Sequence, residues 1–336
     1  MAANKKITVA VDAMGGDNAP SEMVKGAVAA ANEFGFYIIL VGMREKIEAE
    51  LEKYSYDKSN IRIVDAREVI ETNEVPTLAI KRKKDSSMVV GLSLLKDNIA
   101  GAFVSCGNTG ALLTGATVIV GRIKGVERPA LGTLLPNEKG FSFLIDSGAN
   151  VDAKPSYLLQ FGKIGSVYME NVLNIHNPRV GLCNIGAEKE KGNALTKEAF
   201  ELLENSNLNF IGNAEARDIP HGICDVIVCD AFVGNIILKY SEGFAKAMMS
   251  LIKQELMANP LSKTGALLSK GAFKNIKKRF DYQEVGGAPF LGLNALVVKA
   301  HGSSNAEAFK NAIKQCGIFI ERDIVTRTVK NISGDD

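Results

Sequence analysis

The residues best suited to chemistry lie in glycine-rich turns, and the clearest of these is SCGNTG at Ser105 to Gly110. It follows the apolar run AFV and opens the stretch ALLTGATVIV, whose small and apolar residues fit a buried helix. Gly107, Asn108, Thr109 and Gly110 would then form a helix N-terminus, where unpaired backbone N–H groups and the helix dipole attract an anion. Glycine lets the backbone approach that anion closely, while Asn108 and Thr109 offer side-chain donors. Inorganic phosphate suits this chemistry. A plain N-cap uses the same residue types, so the turn by itself leaves both readings open.

Similar turns recur along the chain. VDAMGGDNAP places Asp12 and Asp17 on either side of Gly15 and Gly16, which is more acid than a tight turn requires and is not the GxGxxG dinucleotide fingerprint. NIGAEKEKGN sets Glu188, Lys189, Lys191 and Asn193 after an apolar run, where a lysine could neutralise phosphate or simply belong to a solvated loop. CDAFVGNIILK offers Asp230, Phe232, Gly234 and Asn235 at the start of a long helical pattern. KAHGSSN brings Lys299, His301, Ser303, Ser304 and Asn305 to one more helix start. Serine beside histidine raises the idea of a nucleophile and its base. No GxSxG elbow is present, however, and capping with anion binding suits HGSS better.

Such turns need a scaffold that gathers them. Short runs rich in Val and Ile (ITVAVDA, FYIILVG, AFVSCG, FSFLID, RVGLCN, NFIGNA, DVIVCDA) alternate with longer stretches of helical period. This predicts a doubly wound α/β fold with a parallel sheet covered on both faces, and ligands outside the carboxyl ends of its strands. One domain over residues 1–336 is expected, with a helical excursion at about 236–280. Hydrophobic residues make up 46% and charged residues 23%, as in a folded enzyme-sized body. A net charge of +2 argues against nucleic acid as a partner, because that binding rests on many phosphate contacts. The start MAANKKITVAVDAMGG has no signal-peptide core, so a cytoplasmic protein is expected. Five cysteines without a CxxC pair suit reduced thiols, and with three histidines no metal site is expected. Nor is any cofactor.

Taken together, VDAMGGDNAP, SCGNTGALL, RPAL at Arg128, DSGAN, GAEKEKGN, GNAEARDI, CDAFVGNIILK, YQEVGGAPFLGLNA and HGSS closely resemble the phosphate acyltransferase family of bacterial phospholipid synthesis. The resemblance runs from Ile7 to about Glu321. It implies an αβα sandwich like that of isocitrate and isopropylmalate dehydrogenases and of phosphotransacetylase. It also implies a reaction in which fatty acyl-[acyl carrier protein] and inorganic phosphate give acyl-phosphate and free carrier. A homodimer loosely attached to the inner face of the cell membrane is implied as well, its product feeding a membrane glycerol-phosphate acyltransferase. The chain departs from the family pattern at Asn18, where a histidine is common, and at Cys106, Ser147, Ala187 and Lys189.

On this basis His301, Asn108, Lys191, Asp230 and Asp12 are the expected catalytic residues. Gly107, Asn108, Thr109, Gly110, Asn193, Asn235, Ser303 and Ser304 are expected to bind phosphate, and His301 or a backbone N–H to stabilise the oxyanion, or His301 to protonate the leaving thiolate. Lys81, Arg82, Lys83 and Lys84 could dock the acidic carrier protein or form a solvated face. Leu256, Leu261, Leu267 and Leu268, among Lys263, Lys270, Lys274, Lys277, Lys278 and Arg279, form an amphipathic basic stretch suited to an anionic membrane, or to a core or dimer interface. The competing readings are a phosphotransacetylase-like enzyme using acyl-CoA, a nicotinamide-dependent decarboxylating dehydrogenase, and a membrane-docked scaffold that binds the carrier.

Overall fold

The protein is described here by a computed structural model covering residues 6–280 and 286–333, without the side chains of 277–280. The Tyr282 to Val285 part of the YQEVGG motif, and the side chains of Lys277, Lys278 and Arg279, lie outside the described residues. Strands and helices alternate as β1 (Thr8–Asp12), α1 (Ser21–Phe34), β2 (Tyr37–Gly42), α2 (Arg44–Leu51), β3 (Ile61–Asp65), α3 (Pro76–Arg82), α4 (Ser87–Lys96), β4 (Ala102–Ser105) and α5 (Thr109–Gly115). A hairpin of β5 (Ala130–Asn137) and β6 (Gly140–Ile145) follows, then α6 (Pro155–Val172), β7 (Val180–Asn184), α7 (Ala194–Glu204), β8 (Phe210–Glu215) and β9 (Val226–Val228). Three helices, α8 (Ala231–Met257), α9 (Pro260–Leu268) and α10 (Lys270–Phe280), fill the expected helical stretch and begin five residues before it. The chain closes with β10 (Ala288–Leu291), β11 (Leu296–Lys299), α11 (Ala306–Glu321) and α12 (Ile324–Ser333).

All these strands join one sheet in the order β3-β2-β1-β4-β11-β10-β5-β6-β9-β7-β8. The expected all-parallel sheet is corrected at its centre. β11, β10, β5 and β6 pair antiparallel, with parallel ladders on either side. The reason is local: only Glu138 and Lys139 separate β5 from β6, and four residues separate β10 from β11, too few for a parallel crossover. Three reversals leave β6, β9, β7 and β8 running opposite to β1, β2, β3, β4 and β11. The turns expected to share one edge therefore leave the sheet in two groups.

Alternation along the strands fills both faces. Val9 and Val11 of β1 join a core with α1, α6 and α11, while Ala10 joins a second core beneath α3, α4 and α5. Phe103 of β4 is fully buried against Gly91 of α4, where an added Cβ would lie 2.1 Å from its ring. Burial of such a ring is worth roughly 1.5–3 kcal/mol and sets the distance of α4 from the sheet. Among the described residues no helix is long and apolar enough to cross a membrane, and no cluster of His, Cys, Asp and Glu could hold a metal. All five cysteines are free and buried.

Candidate functional site

Neighbouring strands β1, β4 and β11 end together, and their three turns are knitted into one surface. Ala300 N donates to Ser105 O at 3.0 Å, and Asp17 N to Gly302 O at 2.9 Å. Asn18 Nδ2 reaches Ser304 O at 3.2 Å and Ser303 O at 3.4 Å. The Gly15-Gly16 pair makes this approach possible. An added Cβ on Gly15 would lie 2.5 Å from Asp12 Oδ2 and 2.8 Å from Gly107 N, and one on Gly16 2.7 Å from Cys106 Cβ. Gly16 also has a φ of 102°, which favours glycine.

Within this knot Asp12 is buried and braces the turns. Its buried carboxylate accepts from Ser105 Oγ at 2.6 Å and Met14 N at 3.2 Å, and Ser105 Oγ in turn accepts from Gly107 N at 3.0 Å. Burial raises its pKa against the lowering effect of its hydrogen bonds from Ser105 and Ser87. Asn108 is likewise committed. Its Oδ1 accepts from Ala111 N at 3.0 Å as the N-cap of α5, while Nδ2 donates to Thr72 O at 2.8 Å and to Glu74 O at 3.3 Å. The side chain expected to donate to phosphate thus clamps the loop after β3.

His301 has a defined tautomer. Ser303 N donates to Nδ1 at 3.2 Å, so Nδ1 is the acceptor and the neutral ring carries its proton on Nε2. Ser303 Oγ also lies 2.9 Å from Nδ1. Burial pushes the pKa of His301 below the usual histidine value, and the charge of Lys239 pushes it further down. An exposed neutral ring offering Nε2–H is a hydrogen-bond donor near neutral pH, not a strong acid. Ser304, expected beside Ser303 as a phosphate ligand, is buried, while Ser303 is exposed.

The second group of turns follows β6, β7 and β9. Asp230 caps α8 by accepting from Val233 N at 2.9 Å, and Asn193 caps α7 by accepting from Thr196 N at 2.9 Å. Lys191 and Asn235 are exposed, with no side-chain hydrogen bond or ion pair among the described residues, so both are available to a ligand. Lys189 is drawn away by Glu204 at 2.5 Å and lies over the Phe200 ring. Asp146, which opens the DSGAN motif, is the hub here, a role the motif alone did not assign. Its carboxylate accepts from the N–H groups of Leu131 (3.2 Å), Gly148 (3.0 Å), Ala149 (2.9 Å) and Asn150 (2.8 Å), and from Asn150 Nδ2 at 2.7 Å. Ala231 N donates to Asn150 O at 2.9 Å, joining this turn to α8. The two groups are linked by α8, whose Lys239, Glu242 and Lys246 act electrostatically on His301. The i, i+3, i+7 spacing of those three charges after CDAFVGN was the available signal for this face.

With this geometry in view, comparison with known proteins decides the family. Residues 7–327 match the model of a family described as fatty acid synthesis protein. A phosphate acyltransferase of Clostridium botulinum (strain Alaska E43) is 54% identical over 96% of this chain and 98% of its own length. One from Clostridium kluyveri is 51% identical over 95% of this chain and 96% of its own. The chain belongs to the phosphate acyltransferase family. Among solved structures, a phosphotransacetylase from Streptococcus pyogenes superposes with a TM-score of 0.64 at 18% identity, covering 95% of both chains. A 4-hydroxythreonine-4-phosphate dehydrogenase from Klebsiella pneumoniae gives 0.53 at 13% identity, covering 94% of this chain and 98% of its own. These two likenesses concern the fold alone, and they place this acyltransferase in the dehydrogenase-like αβα class.

In this phosphate acyltransferase the departures from the family pattern have structural roles. Asn18 ties the first turn to the HGSS turn, as described above. Cys106 is buried and its thiol is pushed up to about 12 by desolvation, which removes it as a nucleophile. Ser147 Oγ donates to Leu131 O at 3.0 Å. Of the basic run, Lys83 is held by Glu74 at 2.5 Å and Val69 O at 2.6 Å, and Lys84 by Ile80 O at 3.1 Å, while Lys81 and Arg82 are exposed. Leu261, Leu267 and Leu268 are 84%, 71% and 84% exposed, and Leu256 is half-buried. On α8, Phe232, Ile236, Tyr240, Phe244 and Met248 form an exposed stripe at four-residue spacing.

Proposed function

We propose that this enzyme transfers a fatty acyl group from acyl-[acyl carrier protein] to inorganic phosphate, forming acyl-phosphate and free carrier. The observation that carries the mechanism is the His301 ring, whose Nδ1 accepts from Ser303 N–H so that the ring proton sits on Nε2, in a turn joined to the first by the bond from Asp17 N to Gly302 O. A phosphate oxygen attacks the thioester carbonyl carbon, and the carbonyl oxygen becomes an oxyanion that accepts from His301 Nε2–H. The C–S bond then breaks, the carbonyl re-forms, and the thiolate leaves with the carrier and takes its proton from solvent. Phosphate is already a nucleophile at neutral pH, so orientation and charge stabilisation suffice and no covalent enzyme intermediate is required. Lys191 and Asn235, which make no side-chain hydrogen bond or ion pair among the described residues, are further side chains that would approach the donor or phosphate.

The likeness in fold to phosphotransacetylase supports a second reading in which acyl-CoA is the donor. Purified protein given phosphate and either donor separates the two. Release of free thiol that requires phosphate and runs only with the carrier-bound donor is expected, and turnover only with acyl-CoA would reverse the choice. In the same assay, Lys81→Glu with Arg82→Glu should weaken carrier-dependent turnover at low salt and lessen its salt sensitivity, because complementary charge mainly speeds encounter.

We further propose that the α8 stripe pairs with a second copy of the chain, and that α9 rests on the inner face of the cell membrane, where a glycerol-phosphate acyltransferase would take up the acyl-phosphate. The stripe is too extended an apolar surface to be left in water, and the three exposed leucines of α9 lie among Lys263, Lys270 and Lys274. Liposomes rich in anionic lipid should float the wild type but not Leu267→Glu, Leu268→Glu. Equal flotation of the two would remove α9 as the contact.

A further inference from the structure

Lys299 closes β11 opposite Ser105 of β4 and lies where the SCGN and AHGS turns meet. Its Nζ donates to Cys106 O at 3.3 Å and to Ala300 O. No carboxylate lies within ion-pair distance of it among the described residues, whereas other cations of this chain are paired. Lys310 holds both Glu33 and Glu307 at 2.9 Å, and Arg179 holds Asp225 at 2.9 Å. A partly buried cation left without a counter-ion is costly, and an ammonium has three N–H donors, of which two are accounted for by carbonyl oxygens.

We infer that Lys299 is a binding residue for the acceptor phosphate, its remaining N–H and its charge receiving the anion between the SCGN and AHGS turns and the Lys239 face of α8. The inference rests on the acyl-phosphate reading above and names the residue that holds the acceptor. Around Lys299 stand Cys106, Asp12, Asp17 and Lys239. Burial lowers its pKa, Lys239 lowers it further, and the two aspartates oppose this from beyond contact distance. Lys239 is itself paired with Glu242 at 3.0 Å, so Lys299, with no carboxylate in contact among the described residues, is the cation that an anion would complete. The commitment of the Asn108 amide to the loop at Thr72 and Glu74 points the same way, since it removes one alternative side-chain donor at this turn. A phosphoryl group could come from inorganic phosphate or from the phosphodiester of the donor's prosthetic arm, and separate kinetic constants for the two substrates distinguish these sources.

The test compares wild type, Lys299→Met and Lys299→Arg. Phosphate and acyl-carrier protein are varied separately, and stabilisation of each protein by inorganic phosphate alone is followed by thermal shift. Wild-type release of thiol without any need for phosphate would overturn the acyl-phosphate reading itself. Given phosphate-dependent wild-type turnover, Lys299→Met should raise the KM for phosphate about 10- to 100-fold, as expected for loss of a charged hydrogen bond, and abolish the phosphate-induced shift. The KM for the acyl donor should stay within about twofold, and Lys299→Arg should keep part of the phosphate affinity. An unchanged phosphate KM, a rise in the donor KM alone, or a fall in kcat and thermal stability with the phosphate-induced shift intact would each overturn the assignment.

Discussion

Replacing His301 with alanine should lower kcat about 10²- to 10³-fold, the usual cost of removing one oxyanion donor, while leaving the fold intact. Glutamine at this position should recover part of the loss, because its Nε2–H can reach where the imidazole Nε2–H points. The pH dependence follows from the direction of the shift. The pKa of His301 is depressed by burial and by Lys239, so the ring is neutral at neutral pH and gains a proton only as pH falls through that lowered value. Protonation of Nδ1 breaks its bond from Ser303 N, so kcat should fall on the acid side, below the ordinary histidine range, and be flat above it. Measuring kcat against pH at saturating phosphate checks this. A His301→Gln enzyme that keeps the acid limb, or a His301→Ala enzyme with wild-type kcat, would show that the imidazole is not the donor.

The second large effect concerns stability. Asp146→Ala removes the acceptor of four backbone N–H groups at once, those of Leu131, Gly148, Ala149 and Asn150. Buried donors left unsatisfied cost about 1–3 kcal/mol each before relaxation, so a loss of about 3–5 kcal/mol in urea unfolding is expected. The damage should reach α8, because Gly234 packs against the Asp146 carbonyl so closely that a Cβ would stand 1.9 Å from its oxygen. Asp146→Asn keeps the shape but turns an NH2 group toward donors, so it should fall between alanine and wild type. A change under about 1 kcal/mol for Asp146→Ala would mean that water or a shifted turn satisfies those amides.

Several features were determined by the sequence itself. Alternating Val- and Ile-rich runs and helical stretches specify α/β layers, because residue period and side-chain size act between near neighbours. The turns were equally legible: only glycine fits at Gly15 and Gly16 where three turns converge, and the motifs in order mark the family. Strand direction at the centre was not legible, since it follows from two short hairpins whose partners, β4 and β9, lie far away in the chain. Nor was the use of polar side chains. Asn108 and Asp12 read as free polar groups, but in the fold the Asn108 amide donates to the loop at Thr72 and Glu74 and the Asp12 carboxylate accepts from Ser105. Local composition names the groups available at a turn, but which of them remain free for a ligand depends on acceptors and charges that only tertiary packing brings near. That is why Lys299 and Lys239, sixty residues apart and on different layers, came together only in the folded chain.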